Sequence, residues 1–280
     1  MYNQHQTEYT DLFETHSSDK AYEEIVQITP FGLAPVKNQG SPVTYDSEVQ
    51  GPVTRATHVA YALGYIVTHE ELMDDLYTQV SNTRSGALAT AFRQTKERIG
   101  AGIYNRGFTS GYNGADGVPL FSTAHPNTSG GTYSNRLSVD ADLSESALED
   151  MLIQIMQATD DRGNLINLMP RSLHVAPANW FNANRILKSV YQTQTANNDI
   201  NVINATNALP MGIKVNHYFT APNAWFVRTN VQNGLMYFER EGMRFTQDND
   251  FDTMNAKAMG YERYSFIWND PRAVYGSNGP

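Results

Sequence analysis

The pattern of apolar and polar positions divides the chain into a polar start, a β-type stretch, a long helical stretch and a mixed remainder. Residues 1–24 are polar with scattered aromatic residues, which indicates an extended arm that becomes ordered by lying on another surface. From Ile25 to Ile66, short β-type pieces alternate with prolines and glycines, and this predicts a long, irregular β-hairpin. Its middle, 36–55, has few large apolar residues, so the hairpin must pack on another surface or another subunit.

A strong helix start follows the hairpin. Thr68 can cap a helix N-terminus and Glu71 stands three residues later, which is the spacing of a capping box. Apolar residues then recur at helical spacing as far as Ile103, and Gly107 is a natural stop. The pattern predicts one helix of about 38 residues, or ~57 Å at 1.5 Å per residue, with Gly86 as a place for a bend.

The remainder of the chain predicts a mixture of helices and strands. Residues 107–136 are rich in Gly, Ser, Thr and Asn and are too long for a simple connector, so we expect a structured excursion. An amphipathic helix is predicted from near Ser144 to Gly163, followed by a strand that carries His174 on its polar face. From Ile213 onwards the chain is β-rich, and the fold class is therefore α+β.

Composition excludes several classes of protein. The 280 residues contain no cysteine, which excludes disulfides and thiolate metal sites. No run of about 18 apolar residues occurs, so the sequence predicts no membrane-spanning segment and no association with a membrane. With 20 basic and 29 acidic residues the net charge is −9, and no dense basic run occurs. Tight nucleic-acid binding needs a basic footprint, so this chain is not expected to bind DNA tightly.

One candidate metal site begins at Asp248, where Asp248, Asp250 and Asp252 have the spacing that opens a calcium-binding loop. The sixth position of that loop is Thr253 instead of Gly, and the twelfth is Met259 instead of Glu. The sequence therefore favours a solvated acidic turn, and we predict no metal and no cofactor.

Histidines supply the remaining candidates for chemistry. His69 begins a zinc-type pattern, but Met73 stands where the second zinc ligand belongs, so helix capping explains the neighbouring acids better. His125 follows Asp116 and Ser122, an acid and a nucleophile of the kinds that a catalytic histidine needs. Nothing in the sequence forces the three together, and a histidine that fixes a loop through hydrogen bonds is the favoured interpretation. We predict no catalytic residue.

Four segments stand out when taken in order along the chain: Asp116–Ser122 with His125, Leu173–Trp180 with Arg185–Leu187, Leu209–Val215, and Gly260–Tyr264 with Pro271–Ala273. Together they are similar to segments of the major capsid proteins of tailed bacteriophages. The first resembles a segment of Mu-type head subunits, the second resembles the family's strand, proline and helix, and the last two resemble its later strands. The order of elements along the whole chain also resembles this family, whose architecture is the phage major capsid (Johnson) fold.

The resemblance implies a division of the α+β chain into the parts of that fold. Residues 1–27 would be the N-terminal arm and 28–66 the extended β-hairpin loop. A peripheral domain with a long spine helix would comprise 67–164 and 233–280. The axial domain would span 165–232.

The resemblance also implies a function. The chain would be a major capsid protein without enzymatic activity, assembling with itself into hexamers and pentamers of an icosahedral shell around double-stranded DNA. It would be found in the virion after assembly in the host cytoplasm, with a portal protein and, in some phages, a cement protein as partners. Some relatives carry a built-in N-terminal scaffold, and the start at Met1 leads us to expect a separate scaffolding protein, or none. Lys37 has no identifiable cross-linking partner, so no cross-link is predicted.

Two alternatives stay open from the sequence. An encapsulin-like shell, which is a cellular nanocompartment with the same fold, would enclose an enzyme instead of DNA. A hydrolase that uses His125 is the other, and it requires a catalytic geometry that the sequence alone does not establish.

Overall fold

The computed structural model describes residues 6–74, 78–191 and 199–279. Its strands are β1 (Glu14–Ser17), β2 (Tyr22–Ile28), β3 (Gln50–Thr57), β4 (Val59–Val67), β5 (His125–Pro126), β6 (Thr132–Tyr133), β7 (Pro170–Val175), β8 (Ile213–Val215), β9 (Ala224–Thr229), β10 (Leu235–Asn249), β11 (Ala256–Trp268) and β12 (Val274–Asn278). Its helices are α1 (Tyr9–Leu12), α2 (His69–Met73), α3 (Thr78–Asn105), α4 (Glu145–Met156), α5 (Trp180–Lys188) and α6 (Val202–Ala205). None of these helices is both long and apolar enough to span a membrane.

The chain forms two compact units, and each unit combines three separated pieces of sequence. Unit 1 comprises Met1–Glu23, Arg55–Ile103 and Met236–Ile267, and unit 2 comprises Glu24–Thr54, Tyr104–Leu235 and Trp268–Pro280. These cuts differ from the boundaries expected from the resemblance, because 104–164 and 268–280 group with the segment expected to be the axial domain. The assignment of arm, loop, peripheral domain and axial domain as parts of a shell stays a prediction.

A four-stranded sheet in the order β1-β10-β11-β4 forms the centre of unit 1. β4 pairs antiparallel with β11, and Leu63 lies opposite Gly260. This pairing corrects the prediction that Val59–Leu63 belongs to the hairpin. The hairpin itself is β2 paired with β3. β4 joins a strand about 200 residues away along the chain, which a local pattern does not reveal.

The described part of the arm docks on its own unit. Leu12 and Phe13 are buried, and β1 pairs in parallel with β10. The Glu97 carboxylate accepts the backbone N–H groups of Glu8 and Tyr9 at 3.0 and 2.8 Å. These residues are ordered by lying on the rest of unit 1, where burial of Leu12 and Phe13 and the Glu97 carboxylate hold them.

Two helices occupy the region predicted as one. The capping box of α2 is present as predicted, since the Thr68 hydroxyl accepts the Glu71 N–H and the Glu71 carboxylate accepts the Thr68 N–H. α2 ends at Met73, and the Asp74 N–H closes its last turn on the Glu70 carbonyl. Residues 75–77 lie outside the described residues, so the prediction that one helix runs from α2 into α3 is not tested there. α3 has 28 residues, or ~42 Å.

Unit 2 is built on a second sheet in the order β12-β9-β7-β8. α4 begins as predicted, since the Ser144 hydroxyl accepts the Ala147 N–H. It ends at Met156 and not at Gly163, which stands in a separate turn at φ 82°. Buried side chains of α4 pack with strand residues in one core: Leu148, Met151, Ile155, Leu173, Trp225, Val227 and Tyr275.

His174 lies in the central strand β7 of this sheet and is only 1% exposed. The prediction of a polar, solvent-facing position is wrong, because β7 is flanked by β9 and β8 and buried on both faces. The His174 Nε2 atom lies 2.8 Å from the Ser172 hydroxyl. Burial, with Arg228 and Lys214 adding to it, lowers the pKa of His174 to about 3.

The Gly-rich excursion at 107–136 is structured, as predicted. It contains the β5–β6 pair, and a further bridge joins Arg136 to Gly276. Phe121 lies 5.1 Å from Phe226 between ring centroids, and both rings are buried. Aromatic packing thus ties the excursion to the sheet of unit 2.

Candidate functional site

The first candidate site is a buried polar cluster around His125 in unit 2. His125 is fully buried, and its Nδ1 atom lies 2.6 Å from Asp116 Oδ2. The structure therefore brings the predicted acid and histidine together. The Ser122 hydroxyl is not the partner of either ring nitrogen, since these lie against Asp116 and Asn135, and it accepts the Ala124 N–H at 3.1 Å. The cluster has an acid and a base without the nucleophile that a hydrolase needs.

Asn135 occupies the position where a nucleophile would stand. Its Oδ1 atom lies 3.0 Å from His125 Nε2 and accepts the Ser122 N–H at 2.9 Å. Its Nδ2 atom donates to the carbonyls of Leu120, Pro271 and Val274 at 2.6, 3.1 and 3.1 Å. Three carbonyl acceptors fix the orientation of the amide, so His125 Nε2 must be the donor to Oδ1. Both ring nitrogens are occupied, and the arrangement joins loops instead of poising a base.

No pattern in the sequence singles out Asn135. Asparagine in a Gly-, Ser- and Thr-rich stretch is typical of a surface turn. Its 0% exposure follows from packing against residues 271–274, which lie more than 130 positions away.

Tyr133 contacts both the His125 ring and the Arg272 guanidinium in the same cluster. The His125 ring stacks on it at 5.0 Å between centroids, and the Arg272 guanidinium lies 3.8 Å from its centroid. Arg272 is 4% exposed and donates to Asp161 at 2.8 Å and to the Thr159 carbonyl at 3.0 Å. Burial raises the pKa of the Tyr133 phenol, with Asp270 adding to the rise, so the ring stays neutral.

A small cavity of about 20 Å³ adjoins this cluster, room for about one water molecule. Gln27 and Pro52 from the base of the hairpin line it together with Asp116, Tyr133 and Asp161. The cluster therefore connects the Gly-rich excursion, the C-terminal segment and the base of the hairpin within unit 2. Because its contacts hold these three segments together, we interpret the cluster as structural.

In the structure, Asp250 and His69 of the two candidate metal sites make hydrogen bonds or ion pairs with other protein groups. Asp250 lies at the turn between β10 and β11, where it pairs with Lys257 at 2.5 Å and accepts the Asp252 N–H at 3.3 Å. The hydrogen bond from Lys257 is the main reason why the pKa of Asp250 is lowered. His69 begins α2, and its N–H donates to the Asn255 side chain. In the described ranges, no three His, Asp or Glu side chains are arranged to hold a metal.

The second candidate site is an exposed loop between β2 and β3. This exposed loop, residues 30–49, has no helix or strand, and every residue from 30 to 50 is exposed. It nevertheless carries large apolar side chains, with Leu33 81%, Val36 92% and Tyr45 93% exposed. Several large apolar side chains exposed on one segment indicate an interaction site.

A third candidate surface lies on the sheet of unit 1. A groove of about 430 Å³ runs along β4, β10 and β11, and its walls include Gly64, Tyr65, Ile66 and Met259. Ile66 and Met259 are 56% and 53% exposed. This surface and the exposed loop are apolar areas that a lone subunit leaves in contact with water.

Comparison with protein families shows which family the chain belongs to. A family model described as phage capsid protein matches residues 52–277, which is most of the sequence. The chain belongs to the phage capsid protein family. Comparison with curated proteins gives no sequence match.

Solved structures agree with this family and show the fold. The capsid of the native GTA particle has a TM-score of 0.63 and 12% identity, with 98% of this chain and 90% of that chain covered. A Mycobacterium phage Che8 chain gives 0.57 and 13%, with 98% and 93% covered. A virus-like particle from Pyrococcus furiosus gives 0.57 and 12%, with 99% and 93% covered. This capsid protein has the phage major capsid (Johnson) fold, and both the α+β class and the family resemblance are confirmed.

Proposed function

We propose that this capsid protein is the head subunit of a tailed bacteriophage and assembles with itself into hexamers and pentamers. These would close an icosahedral shell around the double-stranded DNA genome. The family and the structural likeness to capsids support a structural role in a shell. The tail, the hexamers and pentamers and the enclosed DNA are the finer parts of the proposal.

The observation that carries the proposal is the exposed loop. All of its residues are exposed, yet Leu33, Val36 and Tyr45 are large and apolar. A segment without a core of its own becomes stable by lying on a neighbouring subunit, and obligate interfaces of that kind bury about 2,000 Å² or more. Symmetric copies of one subunit then produce a closed shell.

The partners and the location follow from the same proposal. A portal protein, a scaffolding protein and, in some phages, a cement protein would join the shell, which would assemble in the host cytoplasm and end in the virion. The net charge of −9 supports a shell that encloses DNA without gripping it.

Negative-stain microscopy of the purified chain tests the assembly. We expect closed shells, tubes or rings of hexamers, and a monomer that persists at high protein concentration would contradict the proposal. Tyr45→Asp and Val36→Asp place a charge on the exposed loop and should leave folded, unassembled subunits. Val139→Asp is the matched control, since Val139 is 78% exposed but lies outside the loop.

An encapsulin-like cellular shell is the second candidate, favoured by the likeness to the Pyrococcus furiosus particle. The two differ in content: particles from the natural source would hold double-stranded DNA in one case and a cargo protein in the other. We propose no enzymatic activity, because the two nitrogens of His125 are hydrogen-bonded to Asp116 and Asn135 and the Ser122 hydroxyl accepts the Ala124 N–H.

A further inference from the structure

We infer that Arg162 is a positioning residue that fixes the direction of the exposed loop by holding Asp46. The consequence for shell geometry rests on the proposed function, whereas the hold on the loop does not. Both residues belong to unit 2.

Through Asp46, the Arg162 guanidinium is linked to both arms of the loop, which are its outgoing half near residue 32 and its returning half near residue 46. Arg162 Nη1 donates to Asp46 Oδ2 at 2.8 Å, and Nη2 donates to the Ser47 carbonyl at 2.6 Å. The same Asp46 oxygen accepts the Gly32 N–H from the outgoing arm at 2.8 Å. One carboxylate therefore ties the outgoing arm, the returning arm and Arg162 together. We call these contacts the loop clamp.

The clamp stands on a rigid base. Asp160 Oδ1 accepts the N–H groups of Arg162 and Asn164 at 2.8 Å each, which closes the turn from 160 to 164. Gly163 has φ 82°, a left-handed conformation that glycine adopts without strain. Asp161, which lies between Asp160 and Arg162, is buried and accepts a hydrogen bond from Arg272. Three successive residues thus close the turn, anchor it in the cluster and hold the loop.

Polar contacts decide the direction of this loop because packing cannot. Residues 30–50 are all exposed, so no buried apolar side chain orients the segment. Exposed ion pairs contribute little when each partner is flexible. A guanidinium that makes two hydrogen bonds from an anchored turn loses less entropy and adds directional specificity, and the Arg162 side chain is only 22% exposed.

Trypsin cleavage after Lys37 measures the hold on the loop in unassembled subunits. Lys37 is the single basic residue between 30 and 49, so the cleavage site is unambiguous. We expect Arg162→Ala to raise the cleavage rate about fivefold, the factor that corresponds to a well-formed exposed pair. Arg162→Lys, which keeps the charge but loses the second hydrogen bond, should fall between that variant and the wild type.

Arg171→Ala is the matched control, because it removes the same charge from an exposed position of the same unit. Equal cleavage rates in Arg162→Ala and Arg171→Ala would overturn the inference, whether or not the subunit assembles. If the wild type forms shells, Arg162→Ala should yield irregular or open particles. Closed shells of wild-type size from a variant with faster cleavage would overturn the effect on shell geometry. Absence of wild-type assembly would count against the proposed function while the cleavage test still decides the clamp.

Discussion

Lys96 Nζ lies 3.0 Å from Glu262 Oε2 inside unit 1, and the two side chains are 9% and 0% exposed. The rings of Tyr237 and Tyr264 have centroids 5.5 and 5.0 Å from the same nitrogen. Burial raises the pKa of the Glu262 carboxyl, and the charge of Lys96 opposes that rise. The pair links α3 to β11 in surroundings where an unpartnered charge would be costly.

Removing one member of this pair should destabilise unit 1 strongly. We expect Lys96→Met to lower the free energy of unfolding by about 3–5 kcal/mol, because Glu262 would be left buried without its cation. Lys96→Met combined with Glu262→Leu should recover most of the loss. Urea unfolding of the three proteins measures both effects, and a single variant within ~1 kcal/mol of wild type would refute this account.

His125 should matter for stability and not for turnover. His125→Ala removes the ring partner of Asp116 Oδ2 and one of the two partners of Asn135 Oδ1, and we expect a loss of about 3 kcal/mol in the free energy of unfolding. His217→Ala, at an exposed position of the same unit, should change it by less than ~0.5 kcal/mol. Thermal unfolding of the two variants decides, and equal melting temperatures would show that the cluster does not stabilise unit 2.

Buried His174 should make stability depend on pH. Its pKa is about 3 in the folded chain, below the ordinary value of 6.5. The unfolded chain therefore binds the extra proton first as the pH falls. Its contribution to stability is complete above pH 6.5 and is lost as the pH falls from 6.5 towards 3.

His174→Gln isolates this effect, because the carboxylates titrate in both proteins. Between pH 6 and 4, the free energy of unfolding of the wild type should fall more steeply than that of the variant, by about 1.4 kcal/mol per pH unit. Parallel curves over this range would mean that His174 is not buried in its neutral form.

Gly260 leaves room for the Phe92 ring in unit 1. A Cβ atom at this position would lie 2.5 Å from Phe92 Cε2, so Gly260→Ala should cost about 1–3 kcal/mol through overpacking. At Gly242 the nearest atom is the flexible Glu239 carboxylate at 3.3 Å, and Gly242→Ala is the control. A Gly260→Ala variant as stable as this control would show that the ring has space to move.

Local features of the fold could be predicted from the sequence. The capping box of Thr68 and Glu71 and the N-cap of α4 at Ser144 depend on residues three positions apart, and both are present. The approach of His125 to Asp116 is also local, at nine positions, but nothing in the sequence forced the two residues together. Contacts of this kind depend only on residues that are close together in the sequence.

Long-range features could not be predicted. β4 pairs with β11 across about 200 positions, and Asn135 is buried by carbonyls of Pro271 and Val274. His174 alternates with apolar residues, which is the pattern of a half-exposed strand. That pattern does not reveal that β7 takes the centre of a sheet covered on both faces.

The division of each unit into three distant pieces has a consequence for synthesis on the ribosome. The two central strands of the unit 1 sheet, β10 and β11, are translated after residue 234, and β12, an edge strand of unit 2, ends at Asn278. Neither sheet can therefore be completed until nearly the whole chain has emerged. A chain that terminates before residue 235 lacks β10, β11 and β12, so neither sheet can be completed in it and neither unit can reach its full fold.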